Sequence, residues 1–149
     1  MIKFQIITLS GVKFDEEVYE IQLPTPDGQI GVFPGHMPLV TLAVPGVIAV
    51  KRNARDSANN VEYFATDGGV IEVLDNTVRI LADEALHAEE IHEESAKKAL
   101  IAAQEAYAEA KDKMSLDKAQ AMIDRQQVRI SVAGLKRGRP TRGNITKNR

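Results

Sequence analysis

The first part of the chain alternates apolar and polar residues in short runs. Ile2, Phe4 and Ile6 alternate in the first run, and comparable runs occur in GVIAVKR, VEYFAT, GGVIEVL and TVRILAD. Turn residues separate these runs, among them Pro-Asp-Gly, Asp-Gly and Asp-Asn. Many short strands with no helix between them predict an antiparallel β-sandwich or barrel.

The spacing of the apolar residues changes near residue 87. From Glu89 to Lys113 the chain has no glycine or proline, and alanine recurs at spacings of three and four residues. This alanine seam consists of Ala96, Ala99, Ala103, Ala106 and Ala110. The pattern predicts an α-helix that has acidic side chains in its first turns and Lys111 and Lys113 in its last turn.

A second helix is predicted after a break at KMSLDKA. Ser115 is expected to be its N-cap and Gly134 its C-cap. Its apolar face is interrupted at Gln126. The apolar positions of that face are Leu116, Ala119, Ile123, Ile130 and Ala133.

The chain is therefore predicted to be an α+β protein in two parts, an N-terminal antiparallel β-sandwich followed by a C-terminal antiparallel helical hairpin. The expected divisions are residues 1–86 for the sandwich, 87–135 for the hairpin and 136–149 for a basic flexible tail. An alanine seam lets helices approach closely but buries little apolar area, which contributes about 25 cal/mol per Å². A hairpin that opens at modest cost and a permanently packed hairpin both agree with this pattern.

Charge is distributed unevenly along the chain. Residues 1–88 carry six basic and twelve acidic side chains, residues 89–135 carry seven and nine, and residues 136–149 carry six basic side chains and no acidic one. A basic tail behind an acidic body could bind nucleic acid, meet an acidic protein surface or stay solvated. Because no aromatic residues are interleaved with the six charges, nucleic acid is not the predicted partner.

The sequence lacks the common catalytic and ligand-binding motifs. It has no G-x-x-x-x-G-K-[ST] phosphate loop, no G-x-G-x-x-G, no H-E-x-x-H and no G-x-S-x-G. His87 and His92 are five residues apart, which is a poor spacing for a metal pair on a helix, and cysteine is absent. No apolar run approaches the roughly 20 residues that span a bilayer. These features predict a protein that is not an enzyme and that has no cofactor or metal.

Two stretches resemble a known family. DGQIGVFPGHMPLVTLAVPGVI (27–48) and FATDGGVIEVLDNTVRILADEA (64–85) closely resemble the epsilon subunit of the bacterial F-type ATP synthase. The G-x-x-P-G-H-x-P-L core, the following PG, the GG-x-x-E-V turn and the LAD strand end occur in the same order and spacing. The resemblance extends over residues 1 to about 133.

The resemblance implies a non-catalytic subunit of the central rotor stalk. It implies that the sandwich binds the gamma subunit and the c-ring, and so couples proton- or sodium-driven rotation of the ring to gamma. It also implies that the hairpin can extend toward the catalytic alpha/beta hexamer and inhibit ATP hydrolysis. The expected location is peripheral, on the cytoplasmic face of the bacterial cell membrane, with only indirect contact to the membrane.

The resemblance also assigns surface residues of the sandwich. The gamma-facing residues are Thr8, His36 and Thr41. The loop that faces the c-ring holds Asp27, Gly28 and Gln29, and relatives can carry a carboxylate where this chain has Gln29.

Further residues are assigned to the hairpin. Contact with an acidic segment of the beta subunit is expected from Arg125, Arg129, Lys136 and Arg137. Some bacterial relatives bind ATP through an I/L-D-x-x-R-A motif, which aligns with Ile91, His92, Ser95 and Ala96 of this chain. His92 replaces the aspartate and Ser95 replaces the arginine, so an anionic phosphate loses its best partner. Weak or no ATP binding is therefore predicted, which isothermal titration of the isolated subunit would check.

Two other interpretations belong to different functional classes. One is a free-standing β-sandwich that binds a small molecule beneath a helical lid, and the other is a nucleic-acid-associated module that uses the basic tail. Co-purification with a gamma-like partner would separate the rotor subunit from both.

Overall fold

The computed structural model describes residues 1–137, in which ten strands precede two α-helices. The strands are β1 (Ile2–Thr8), β2 (Gly11–Val18), β3 (Glu20–Thr25), β4 (Gly28–Val32), β5 (Leu39–Ala43), β6 (Gly46–Lys51), β7 (Val61–Thr66), β8 (Gly69–Leu74), β9 (Thr77–Ala82) and β10 (Ala85–His87). The helices are α1 (Glu93–Glu109) and α2 (Lys113–Arg137), and short 3-10 helices span Ala58–Asn60 and Ala88–Glu90. The predicted two-part fold is confirmed.

The strands form two five-stranded sheets, with the orders β2-β1-β9-β8-β5 and β10-β7-β6-β3-β4. The neighbouring strands pair antiparallel, except that β1 runs parallel to β9 with Lys3 opposite Thr77. Among the described strands, this pair departs from the antiparallel arrangement of the predicted sandwich. Turn chemistry fixes the direction of consecutive strands only, and β1 and β9 are not consecutive.

The core lies between the sheets and follows the alternation in the sequence. Ile2, Phe4 and Ile6 are fully buried in β1, and the residues between them face outward. The Phe14 ring packs against Phe4 and Phe64, with ring centroids 5.6 and 5.5 Å apart. Burial of each such side chain stabilises the fold by about 1.5–3 kcal/mol.

Turn residues take the backbone conformations that the sequence predicted. Asp75 and Asn76 link β8 to β9 with φ values of 47° and 57°, which favour asparagine and aspartate. The Asn76 side chain donates to the Met1 carbonyl at 2.8 Å and accepts from the Gly35 N–H at 3.1 Å. This turn therefore ties the β4–β5 connection to the start of the chain.

The first helix is shorter than predicted. It begins at Glu93, because His87 caps a separate 3-10 helix: its Nδ1 accepts from the Glu89 N–H at 3.2 Å, and its own N–H donates to Glu90 at 2.8 Å. Helix α1 ends at Glu109, so Lys111 and Lys113 lie outside its last turn.

Both predicted caps of the second helix are wrong. The Ser115 N–H donates to Asp112 Oδ1 at 2.7 Å and its hydroxyl to Oδ2 at 3.1 Å, so Asp112 is the N-cap and Ser115 lies in the first turn. The backbone hydrogen bond from Ser115 lowers the pKa of Asp112. Gly134 does not end α2, which continues to Arg137.

The hairpin packs through small residues. Ala96 and Ala103 of α1 and Ala119 of α2 are buried, and Gln126 is buried where the apolar face was predicted to be interrupted. The end of α2 also packs on the outer face of the second sheet. That contact groups Val47, Tyr63, Ala65, Ala88, Ile91, Val128 and Val132. The hairpin is thus docked on the sandwich through a small apolar cluster.

Candidate functional surfaces of the sandwich and the hairpin

A row of apolar side chains crosses the outer face of the first sheet. Strand register places Leu42 beside Val70, Val70 beside Leu81, Leu81 beside Ile7, and Ile7 beside Val12. We call these five residues the apolar row. Leu42 is 60% exposed and Leu81 is 49% exposed, although both lie in regular strands. A contiguous exposed apolar patch of this kind marks an interaction site.

A row dominated by polar residues lies next to the apolar row on the same face. Arg79 donates to Glu72 at 2.8 Å and to Gln5 at 3.0 Å, and Lys3 pairs with Asp15 at 3.2 Å. Hydrogen bonds from Gln5 and Lys3 lower the pKa of Asp15. An apolar strip with a polar border is the usual anatomy of a protein–protein interface.

Two of the residues assigned to gamma point away from this face. Thr8 is 8% exposed, and its hydroxyl donates to the Gly11 carbonyl at 3.1 Å. Thr41 is half-buried opposite the core residue Ile71. Their sequence neighbours Ile7 and Leu42 belong to the apolar row. The two threonine side chains therefore lie on the opposite face of the same strands. Their contact with gamma stays a prediction.

The apolar row is the feature that the sequence analysis missed. Its signal was present: strands β1 and β9 carry apolar residues on both phases of the alternation near one end, as in Ile6–Ile7 and Ile80–Leu81. Only one phase of a strand can enter the core. A second apolar phase therefore marks an exposed contact surface.

His36 lies on a sharp bend of the chain at Pro34 and Gly35. Gly35 has a φ of +82°, and the His36 N–H donates to the Phe33 carbonyl at 3.1 Å. His36 Nδ1 donates to the Met37 carbonyl at 2.7 Å, so the free Nε2 is available to a partner. Asn76 anchors this bend at the opposite end of the sheet from Thr8.

The loop assigned to the c-ring is the turn between β3 and β4. Gly28 has a φ of +117°, and the Thr25 hydroxyl donates to its carbonyl at 2.6 Å. Asp27 is exposed, whereas the Gln29 side chain donates to the Val47 carbonyl at 3.2 Å. The turn thus presents Asp27 on a fixed backbone.

The arginines assigned to the beta subunit face the sandwich in this conformation. Arg125 Nε lies 2.8 Å from Asp67 Oδ2, and Arg129 Nη2 donates to Glu84 Oε2 at 2.8 Å. Lys136 is exposed near the end of α2. The Arg137 side chain and the tail that follows it lie outside the described residues.

The segment aligned with the ATP motif has structural roles here. Ile91 packs against the cluster that contains Ala65, Ala88 and Val132, and Ala96 is buried. His92 is the N-cap residue of α1 but its side chain makes no capping bond, and Ser95 is exposed. Arginine is absent from this segment, and Lys97 pairs with Glu93 at 3.4 Å.

Two further observations concern possible ligands and membranes. Across residues 1–137, His, Asp and Glu side chains form no group of three or more that could hold a metal ion. Neither α1 nor the described length of α2 combines the size and apolarity of a membrane-spanning helix.

Comparison with known proteins identifies the family. Residues 1–88 match the beta-sandwich domain of the ATP synthase delta/epsilon chain. The chain belongs to the ATP synthase delta/epsilon chain family. The ATP synthase epsilon chain of Herpetosiphon aurantiacus is 36% identical over 138 residues, which cover 93% of this chain and 98% of that one. The resemblance proposed from the sequence is thereby confirmed.

Solved structures share the fold over most of the chain. A chain of the Euglena gracilis mitochondrial ATP synthase (OSCP/F1/c-ring) matches with a TM-score of 0.73 and 24% identity, over 89% of this chain and 80% of that one. A chain of the Tetrahymena thermophila mitochondrial ATP synthase (central stalk/c-ring) matches with a TM-score of 0.55 and 16% identity, over 90% and 95%. At these identities the likeness concerns the fold alone.

Proposed function

We propose that this subunit is non-catalytic, transmits rotation between the c-ring and the gamma subunit, and regulates ATP hydrolysis through its hairpin. The apolar row is the observation that carries the proposal. It crosses all five strands of the first sheet near one end of the sheet. The paired strands give a rotor partner a broad and rigid surface to bind. The expected position is peripheral, on the cytoplasmic face of the membrane.

The two outer faces of the sandwich have different proposed roles. The first sheet presents the apolar row to gamma, and the β3–β4 turn presents Asp27 and Gly28 to the c-ring. The second sheet carries the hairpin on a small apolar cluster. A hairpin held by small contacts can exchange between docked and extended forms that differ by a few kcal/mol. In the extended form Arg125 and Arg129 could pair with carboxylates of the beta subunit.

Removal of the hairpin tests the proposal. A chain cut after residue 88 should keep assembly and ion-driven ATP synthesis but lose inhibition of hydrolysis, because the apolar row and the β3–β4 turn remain. A chain cut after residue 137 is the matched control, since it lacks only residues 138–149. Synthesis and hydrolysis are measured in membranes that carry each chain. Failure of assembly or coupling in the shorter chain would show that the hairpin has a structural role instead.

The His36→Ala substitution tests the bend as part of the gamma contact. It should weaken binding to gamma about tenfold, as expected for the loss of one hydrogen bond to the partner, and leave the sandwich folded, because the backbone anchors of the bend remain. His92→Ala is the control, since that side chain makes no capping bond. Binding to purified gamma and thermal unfolding measure the two effects. A His36→Ala chain that unfolds would show that His36 has a structural role instead.

A further inference from the structure

Two ion pairs join α2 to the sandwich. Arg125 and Arg129 are four residues apart, so they lie on one face of the helix. Their partners occupy two loops of the sandwich: Asp67 lies between β7 and β8, and Glu84 lies between β9 and β10. The Asp67 N–H donates to the Glu84 carbonyl at 3.4 Å, which links the two loops.

The two carboxylates have different environments. The Asp67 side chain is 16% exposed, whereas the Glu84 side chain is 44% exposed. Burial raises the pKa of Asp67, and the charges of Arg125 and Arg129 only partly offset this, while Glu84 adds to it. Glu84 remains solvated with or without its arginine. The charge of Asp67 depends on the two arginines to offset the cost of its burial.

The contact between Arg125 and Asp67 acts mainly through charge. Arg125 Nε and Asp67 Oδ2 are both sealed from solvent, and the hydrogen bond between the two side chains is poorly aligned. Their separation is nevertheless 2.8 Å. A buried charge that loses its counter-charge is strongly destabilising, more so than a pair that is replaced as a whole.

We propose that Asp67 makes docking of α2 conditional on Arg125, so that any carboxylate that captures Arg125 releases the helix. With Arg125 in place, the charge of Asp67 is tolerated beneath the helix. With Arg125 drawn away, Asp67 is left charged and desolvated, and undocking α2 returns it to water. Loss of the Arg125 side chain from this contact therefore shifts the whole of α2 toward the undocked state. The inference rests on the proposed role of the hairpin as a mobile regulatory element.

The test uses the full chain in isolation and follows opening of the hairpin. Arg125→Gln should raise the open population roughly tenfold or more, since it leaves Asp67 unpaired. Asp67→Asn alone should leave the docked population unchanged or larger, because it removes the largely buried charge, whereas the Arg125 side chain is 41% exposed and its guanidinium stays hydrated without a partner. The double variant should return to the docked state. Amide hydrogen exchange along α2 reports opening, with β1 and β9 as the internal reference for the sandwich.

A distance measurement gives a second readout. The chain has no cysteine, so cysteines placed at the exposed positions Ser57 and Gln127 can be labelled without background. The dye separation should increase in Arg125→Gln and recover in the double variant. Arg129→Gln is the comparison variant: its ion-pair partner Glu84 is solvated, and its charge acts on Asp67 less than that of Arg125 does, so opening should rise less, about twofold.

Acid should rescue the Arg125→Gln chain. The docked state raises the pKa of Asp67 above its unperturbed 3.8, so the docked state binds the proton more tightly than the open state. Docking therefore gains stability as the pH falls through the raised value and loses it as the pH rises. The groups that act on Asp67 are Arg125 and Arg129 of α2 and Glu84 of the adjoining loop. Adding Asp67→Asn should abolish the rescue.

Two outcomes in the isolated chain would overturn the inference. One is opening by Asp67→Asn alone that equals the opening by Arg125→Gln, as an ordinary stabilising pair would give. The other is a double variant that stays open. Hydrolysis by the assembled enzyme separates this result from the proposed function. If the isolated chain behaves as expected while removal of the hairpin leaves hydrolysis unchanged, conditional docking stands and the inhibitory role fails.

Discussion

The Gly69→Ala chain should fail to form a stable sandwich. Gly69 has a φ of +143°, and a Cβ atom there would lie 2.0 Å from the Leu81 carbonyl oxygen and 2.9 Å from its carbon. Both atoms belong to the backbone of the paired strand β9, which cannot move away without breaking the sheet. The loss should reach about 4 kcal/mol or more, in the range reserved for severe steric and backbone effects.

Such a loss approaches the whole stability of an ordinary domain, about 5–15 kcal/mol. Urea unfolding of the isolated chain measures it. Gly134→Ala is the matched control, because Gly134 lies within α2 and nothing stands within 4 Å of the added methyl group. That change should stabilise the helix by about 0.5–1 kcal/mol. A Gly69→Ala chain with a normal unfolding midpoint would contradict the close approach of β8 and β9.

The second large effect concerns binding. Leu81→Glu should weaken association with the gamma subunit about a hundredfold or more, because it places a charge at the centre of the apolar row. Stability should change by only about 0.5 kcal/mol, since the side chain is half-exposed on the outer face. Binding to purified gamma and urea unfolding give the two numbers.

Ile101→Glu supplies the control for that experiment. Ile101 is an apolar residue of α1 that is 57% exposed, so the same change of chemistry is made away from the row. Gamma binding should be unaffected. If both variants weaken binding equally, a general effect of added negative charge explains the result. If neither does, the apolar row is not the gamma contact.

The sequence predicted the parts of the fold that local chemistry determines. Alternation identified the strands, and Asp75 and Asn76 had the chemistry of the turn that they form. The alanine seam identified the first helix, and the apolar face after KMSLDKA identified the second. The errors occurred where two local signals competed. Asp112 and Ser115 are both good caps three residues apart, and the structure uses Asp112, with Ser115 as a donor in the first turn.

Features that join distant segments could not be predicted in this way. Alternation shows that Ile6 faces the core, but it does not show that β1 lies beside β9. The second apolar phase of β1 and β9 signals a contact surface, but the apolar row itself exists only once five strands are in register. The pairing of Arg125 with Asp67 depends on how the helix docks, and the sequence offered Arg125 only as a free cation for another subunit. Local patterns therefore gave the elements, and tertiary packing gave the candidate sites.

The parallel pairing of β1 with β9 has a consequence for biosynthesis. Strands β1 and β2 can pair as soon as both leave the ribosome, but the other side of β1 stays open until β9 has been made, since Lys3 pairs with Thr77. Non-local pairing of this kind forms slowly and leaves a strand edge open to aggregation meanwhile. The helices are synthesised last and make mainly local contacts. A nascent chain should therefore complete its sandwich before the hairpin can pack on the outer face of the second sheet.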